Sequence, residues 1–223
     1  MDPFAPIAAQ RQALATVLSR LTPEQWETPS LCDAWTVHEL VGHIVVPFDV
    51  SMPRVVLEMA KARGNFSKAN VALALRAAQA SPAELVAAIR ANADSHFTPP
   101  GHDWHAPLTD TYVHTQDICI PLGLESPADP AQWPVILDFL MSKKARGAFV
   151  GRPLPEVRFS ATDVPWSAGE GPEAAGPAAA LVTTILGRTA IADQLEGPGA
   201  AELARYAAGS CGDPSLGCAR RTT

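Results

Sequence analysis

Asp110 and His114 are the residues of this 223-residue chain whose types and spacing most directly suggest chemistry. They stand four residues apart in the stretch TDTYVHTQDI, and Asp117 follows His114 by three residues. If the stretch is helical, all three side chains lie along one face. An imidazole and a carboxylate on one helical face present two ligands to a single ion, and zinc or nickel accepts both. The same spacing is common in surface ion pairs, so from the spacing alone both interpretations stay open.

A third ligand would have to come from another helix, and His43 is the candidate. The segment TVHE at residues 36–39 has the pattern of a capping box and predicts the start of a long helix. Apolar or neutral residues recur at Leu40, Ile44 and Pro47, and His43 falls on the same face. A catalytic zinc site uses three protein ligands and leaves one position open. His43 would equally be explained as a core histidine bonded to a backbone carbonyl that Pro47 frees.

Helical patterns fill most of the first 150 residues and would position these side chains. Apolar spacing and start signals predict helices at about 5–21, 66–80, 82–94, 108–120 and 130–146, and a longer one from Thr36 that Pro47 and Pro53 are expected to kink. The stretch FTPPGHDWHAP at 97–107 is predicted to be a loop because it is rich in Pro and Gly. Together these elements favour an antiparallel helical bundle, a fold that builds metal sites from inward side chains of facing helices.

The pattern changes after Gly151. Residues 156–163 alternate like a strand, and residues 177–188 have the pattern of a helix. We therefore expect a small second domain at 151–207 and a poorly structured tail at 208–223.

The composition excludes several classes of protein. A formal net charge of -6, with no basic cluster before Arg220-Arg221, argues against nucleic-acid binding. No apolar run approaches membrane-spanning length, and the N-terminus lacks the pattern of a secretory signal, so a cytoplasmic location is expected. Four cysteines in a chain of this length do not form a disulfide framework, and Cys119 is expected to pack as a small apolar residue.

Two stretches, PSLCDAWTVHELVGHI and LTDTYVHTQDICIPLG, resemble the DinB-like superfamily. More closely, they resemble the mycothiol-dependent maleylpyruvate isomerase family of actinobacteria. That family's pattern is a Trp, a helix start and a His about eight residues on, followed much later by a carboxylate, a His and an Asp. The matching residues here are Trp35, Thr36, His43, Asp110, His114 and Asp117. The later stretches SATDVPWSAGEGPEAAGPAAALVTTILGR and QLEGPG resemble the family's small C-terminal domain, so the likeness covers most of residues 10–205.

The resemblance implies an α+β fold, with a DinB-like four-helix metal-binding bundle at 1–150 followed by a small α/β C-terminal domain at 151–207. It implies one divalent metal, zinc or nickel, held by His43, Asp110 and His114. Asp110 stands where the isomerase has Glu, and its shorter side chain is expected to weaken metal binding or change the metal preferred. Asp117 is expected to lie behind the ligands or to cap the following loop, and His105 is a candidate substitute ligand or active-site acid.

The function implied is that of a thiol S-transferase or isomerase, in which the metal activates mycothiol to attack a small electrophile. Tyr112 is expected to line the pocket for thiol and substrate, and Arg188 to meet a carboxylate there. The expected partners are a small-molecule thiol and an electrophile, with no nucleic acid and no membrane. Two alternatives remain, a catalytically inactive member that binds a small molecule and a metal-dependent hydrolase.

Overall fold

A computed structural model describes residues 2–32, 35–145 and 149–210 of the chain. The described residues divide into two compact units, residues 2–128 and residues 129–210. The first unit is helical, and the second contains helices and a three-stranded sheet. The α+β class predicted from the sequence is therefore confirmed. Within the described residues, no helix combines the length and the apolar character needed to cross a membrane.

The first unit is built around seven helices of its described residues, which are α1 (Ala5–Leu18), α2 (Pro23–Trp26), α3 (Val37–Asp49), α4 (Met52–Lys61), α5 (Phe66–Ala77), α6 (Pro82–Ala91) and α7 (His105–Cys119). Helix α3 packs against α5, α6 and α7, and α1 packs against α6 and α7. The two helices that bear the candidate ligands, α3 and α7, are therefore in direct contact.

Three helices of the first unit begin with capping boxes. The Thr36 hydroxyl accepts from the Glu39 backbone N–H at 3.2 Å, and the Glu39 carboxylate accepts from the Thr36 N–H at 3.0 Å. The same reciprocal arrangement starts α2 at Thr22 and α6 at Ser81. Each box satisfies backbone donors that the first helical turn leaves unpaired. The helix start predicted from TVHE is thus confirmed.

Gly42 lets α3 approach α5 closely, one residue before His43. A Cβ at position 42 would lie 2.6 Å from the Ala74 carbonyl oxygen and 2.9 Å from the Ala78 Cβ. Both distances are shorter than van der Waals contact, so only glycine fits without moving a helix. The apolar residues of α3 that share this packing, including Leu40, Val41 and Ile44, are buried in the core.

The second unit contains α8 (Trp133–Met141), β1 (Arg158–Ala161), β2 (Ser167–Ala168), β3 (Glu173–Gly176), α9 (Ala178–Ile185) and α10 (Ala200–Ser210). The strand order is β2-β1-β3, with β1 antiparallel to β2 and parallel to β3. Helix α9 packs against β1, β3, α8 and α10. The strand predicted at 156–163 is confirmed in its central residues.

The division between the units differs from the predicted boundary at 150. Helix α8 packs on α9, and the Asp138 carboxylate accepts from the Trp166 indole N–H at 2.7 Å, so α8 groups with the sheet rather than with the bundle. Residues 208–210 of the predicted tail continue helix α10. The rest of that tail, 211–223, lies outside the described residues.

The predicted start of α7 near residue 108 is wrong by one turn. The helix begins at His105, so the last three residues of the loop predicted at 97–107 are helical. Pro107 is tolerated there because the backbone N–H groups of a first turn have no intrahelical acceptor to lose.

Candidate metal centre

Helix α3 carries His43 to the face that meets α7. Its side chain is only 15% exposed, and its ring centroid lies 5.2 Å from that of Trp35. The Nδ1 atom is buried and has no hydrogen-bond partner among the described residues. The other ring nitrogen, Nε2, faces the Asp110 carboxylate.

Helix α7 places Asp110 and His114 one turn apart on one face. Every residue of α7 from Ala106 to Cys119 is buried except Asp110, whose side chain is 41% exposed. A side-chain hydrogen bond joins α7 to α1, where the Gln10 amide donates to the Thr115 hydroxyl at 3.1 Å. Asp110 is therefore the most exposed of the three candidate ligands.

His43, Asp110 and His114 converge on one position. The Asp110 Oδ1 atom lies 3.3 Å from His114 Nε2 and 3.9 Å from His43 Nε2. The two imidazole rings meet edge to face, with centroids 5.1 Å apart at an interplanar angle of 89°. One ligand atom from each residue lies within 4.8 Å of the other two. Helices α3 and α7 thus bring together the three side chains that the sequence predicted.

The donor set fits a divalent ion such as zinc. Two imidazoles and one carboxylate form a common set of protein ligands for catalytic zinc, which keeps a fourth position open. Ligands about 2.1 Å from a tetrahedral ion are separated from one another by about 3.4 Å. The observed 3.3 Å matches this separation, and the 3.9 Å between His43 and Asp110 exceeds it by an amount that a small side-chain rotation removes.

Opposite charges dominate the electrostatics of the cluster. Burial alone raises the pKa of the Asp110 carboxyl, but His114 and His43 outweigh it and hold that pKa well below its usual range. Burial likewise lowers the pKa of His114, but the carboxylates of Asp110 and Asp117 outweigh it and raise the pKa to about 10. Without an ion, His114 is therefore an imidazolium between two carboxylates at neutral pH. A bound cation would take the place of the proton on Nε2.

Asp117 lies behind His114, as the sequence predicted. Its Oδ2 atom is 3.0 Å from His114 Nδ1, and the residue is fully buried. A carboxylate on the far nitrogen fixes the tautomer and the ring orientation of a metal-binding histidine.

Two further buried residues near the centre were not predicted to contribute to the site. The Cys32 thiol donates to Asp117 Oδ2 at 3.3 Å, and no local sequence pattern predicts that Cys32 and Asp117 are neighbours. Arg11 is only 4% exposed, and its guanidinium donates to the carbonyls of Ala93 and Ser95 at 2.9 and 2.8 Å. Burial lowers the pKa of Arg11, and the negative charge of Asp110 acts against that shift. In the sequence Arg11 is one polar residue in an ordinary helix, and only a tertiary contact distinguishes it.

The remaining predicted residues lie outside the three-ligand cluster. His105 Nδ1 is 2.7 Å from the Asp103 carboxylate, and its ring stacks on Trp104. Tyr112 is 1% exposed and belongs to the core of the first unit. Arg188 belongs to the second unit, where it is 6% exposed and its Nη1 donates to the Leu186 carbonyl. The roles predicted for these three residues stay predictions.

A surface cavity of about 710 Å³ opens on the first unit. It is lined by residues of α1, α2 and α6, among them Leu18, Trp26, Val86 and Arg90. None of the three candidate metal ligands lines it.

Comparison with known protein families relates the first unit to one of them. Residues 7–98 match the family described as the mycothiol maleylpyruvate isomerase N-terminal domain. This stretch of the chain is a member of that domain family. Searches against curated proteins and against solved structures return no significant match.

The matched stretch runs from α1 past α6. It therefore contains His43 and the α3 start that positions it, while Asp110 and His114 follow beyond its end. The recognition made from the sequence is confirmed at the level of the family. The match covers residues 7–98 and relates this stretch to the N-terminal domain of mycothiol maleylpyruvate isomerases.

Proposed function

We propose that the protein is a metal-dependent thiol transferase or isomerase, in which mycothiol attacks a small electrophile. The observation that carries the proposal is the convergence of His43, Asp110 and His114 from two helices, one of which lies within the matched family domain. We choose mycothiol as the thiol because the matched family is named for it.

His43, Asp110 and His114 would hold one divalent ion, zinc or nickel. An ion with an open position lowers the pKa of a thiol that binds to it, and so makes a thiolate available at neutral pH. The partly exposed Asp110 lies on the side from which small molecules reach the site, and Asp117 keeps the His114 ring turned towards it.

The cysteines of the described residues favour an external thiol. Cys32 and Cys119 are both fully buried, and burial raises the pKa of the Cys119 thiol to about 11. A buried thiol that stays protonated is a poor nucleophile. We therefore expect the reacting sulfur to belong to mycothiol and not to either of these side chains.

The test is an assay of zinc-loaded protein with mycothiol and a panel of electrophiles, which contains an aryl halide, an epoxide and a conjugated cis-alkene. We expect loss of mycothiol or alkene isomerisation that depends on protein, thiol and metal together, and that His43→Ala abolishes. His96→Ala is the matched control, because His96 is exposed, stacks on Phe4 and lies outside the site.

Two results would contradict the proposal. Hydrolysis of the epoxide or the aryl halide in the absence of any thiol would favour the hydrolase alternative, in which water occupies the open position. Absence of turnover of the whole panel by metal-loaded protein would favour a non-catalytic binding protein.

A further inference from the structure

A second buried cluster lies on the far side of His114, formed by Cys32, His114 and Asp117. His114 belongs to both clusters but through opposite nitrogens. Its Nε2 faces Asp110, and its Nδ1 faces Asp117 and Cys32. The ring of His114 therefore joins the candidate ion position to Asp117 and Cys32.

The contacts of this second cluster are those of hydrogen bonds. His114 Nδ1 lies 3.0 Å from Asp117 Oδ2, and Cys32 Sγ lies 3.3 Å from the same oxygen. One carboxylate oxygen thus accepts from an imidazole N–H and from a thiol S–H, which accounts for the short distances without an ion. Cys32 and Asp117 are also fully buried, which leaves no open side for a substrate.

The loop that bears Cys32 is fixed to Asp117 by a second contact. The Leu31 backbone N–H donates to the Asp117 carbonyl at 3.0 Å. The loop itself is braced by Ser30, whose hydroxyl accepts from the Cys32 N–H and donates to the Trp35 carbonyl. The Cys32 thiol is therefore held at one place relative to the Asp117 carboxylate.

We propose that Cys32 is a positioning residue of the metal centre, because its thiol holds the Asp117 carboxylate that orients His114. The inference rests on the proposed function in one respect, since it requires an ion at His43, Asp110 and His114. Without the S–H donor, the Asp117 carboxylate loses one of the hydrogen bonds that hold its orientation. The His114 ring then spends less time with Nε2 directed towards the other two ligands, and affinity for the ion falls.

The experiment measures zinc affinity by chelator competition in the full chain and in matched cysteine variants. Asp117→Asn removes the direct partner of His114 and is expected to weaken zinc binding by about 10- to 100-fold. Cys32 acts on His114 through the Asp117 carboxylate, so Cys32→Ala is expected to weaken zinc binding less, by roughly 3- to 10-fold. Cys32→Ser keeps a hydroxyl donor and is expected to recover most of that loss.

Cys119→Ala is the matched control, because Cys119 is equally buried and lies on the same helix as His114. Both alanine variants empty a sulfur-sized space in the core, so both lose unfolding free energy in the metal-free protein. Only Cys32→Ala is expected to lose zinc affinity. A general loosening of the fold would lower zinc affinity in both.

A cobalt(II) spectrum gives a second readout. We expect the visible ligand-field bands of the cobalt-loaded protein to shift in Cys32→Ala and to stay in place in Cys119→Ala. A sulfur-to-cobalt charge-transfer band in the wild type, lost in Cys32→Ser, would make Cys32 a ligand and overturn the positioning role.

Equal zinc affinity for Cys32→Ala and Cys119→Ala would also overturn the positioning role. If the wild type binds zinc in that experiment, the proposed function is not contradicted. If wild type binds no zinc, the proposed function and this inference both fail. The wild-type titration therefore distinguishes the two failures.

Discussion

The Nδ1 atom of His114 lies 3.0 Å from Oδ2 of the fully buried Asp117. With a carboxylate as its partner, Nδ1 carries a proton and donates it, which leaves Nε2 as the nitrogen available to an ion. That nitrogen is directed at Asp110, one turn earlier on the same helix. A single pair of buried side chains thus fixes the direction of a candidate ligand.

The close approach of α3 to α5 at Gly42 leads to the first prediction. In an open helix, Gly→Ala stabilises by about 0.5–1 kcal/mol. Here a Cβ would lie 2.6 Å from the Ala74 carbonyl oxygen, so Gly42→Ala is expected to lower the unfolding free energy by about 1–3 kcal/mol. Urea unfolding of the two proteins measures the difference. An alanine variant as stable as wild type, or more stable, would disprove the tight helix contact.

The side chain at position 110 is the subject of the second prediction. Asp110 Oδ1 lies 3.3 Å from His114 Nε2 and 3.9 Å from His43 Nε2. Asp110→Asn removes the charge but keeps the size, and is expected to weaken zinc binding by about 100-fold or more. Asp110→Glu keeps the charge and lengthens the reach, and is expected to bind zinc at least as tightly as wild type. Equal affinity for the Asn variant and wild type would exclude Asp110 as a ligand.

Proton competition gives the third prediction. The pKa of His114 is raised to about 10 in the metal-free protein, whereas that of Asp110 is well below its usual range. At neutral pH an ion must therefore displace one proton from His114 and none from Asp110. Zinc affinity is expected to rise by about tenfold per pH unit from about pH 7 to pH 9. Titrations with a chelator at several pH values measure the slope, and a flat profile would contradict the charge state assigned to His114.

The raised pKa of His114 also makes the stability of the metal-free protein depend on pH. A histidine whose pKa is higher in the folded state stabilises the fold below its unfolded pKa of about 6.5, and that contribution disappears as pH rises through the folded value. The metal-free protein should therefore lose stability as pH rises through the window that ends near pH 10. His114→Gln should lack this part of the pH dependence, which thermal unfolding at several pH values would reveal.

Cys119 supplies the fifth prediction. Its thiol is fully buried with a pKa of about 11, so at pH 8 only about one molecule in a thousand carries the thiolate. Native protein treated with iodoacetamide is expected to remain unmodified at Cys119, while protein in urea is modified. Peptide mass mapping compares the two samples. Fast alkylation of Cys119 in the native protein would contradict both its burial and its exclusion as a nucleophile.

The sequence indicates where the three candidate ligands lie along their helices, because the signals for this are local. The capping box at Thr36 and the four-residue spacing of Asp110 and His114 both follow from helix geometry within one segment. The start of α7 was predicted one turn late because Pro107 and the nearby Pro and Gly residues favour a loop, although a first turn accepts proline.

The supporting residues could not be predicted in the same way. Cys32 and Asp117 are 85 residues apart, and their contact depends on how the loop before α3 meets the end of α7. Arg11 meets carbonyls more than 80 residues away, again through tertiary packing. The sequence placed helix α8 in the bundle, whereas it groups with the second unit. Its apolar pattern predicts that the helix is buried but does not indicate which unit it packs against.

The most direct test of the account is the metal content of purified, untagged protein after dialysis with zinc, measured by elemental analysis beside His43→Ala and the surface control His96→Ala. The account predicts about one equivalent of zinc or nickel in wild type and in His96→Ala, and a loss of that equivalent in His43→Ala. Metal-free wild type after this treatment, or a His43→Ala variant with a full equivalent, would contradict a metal centre formed by His43, Asp110 and His114.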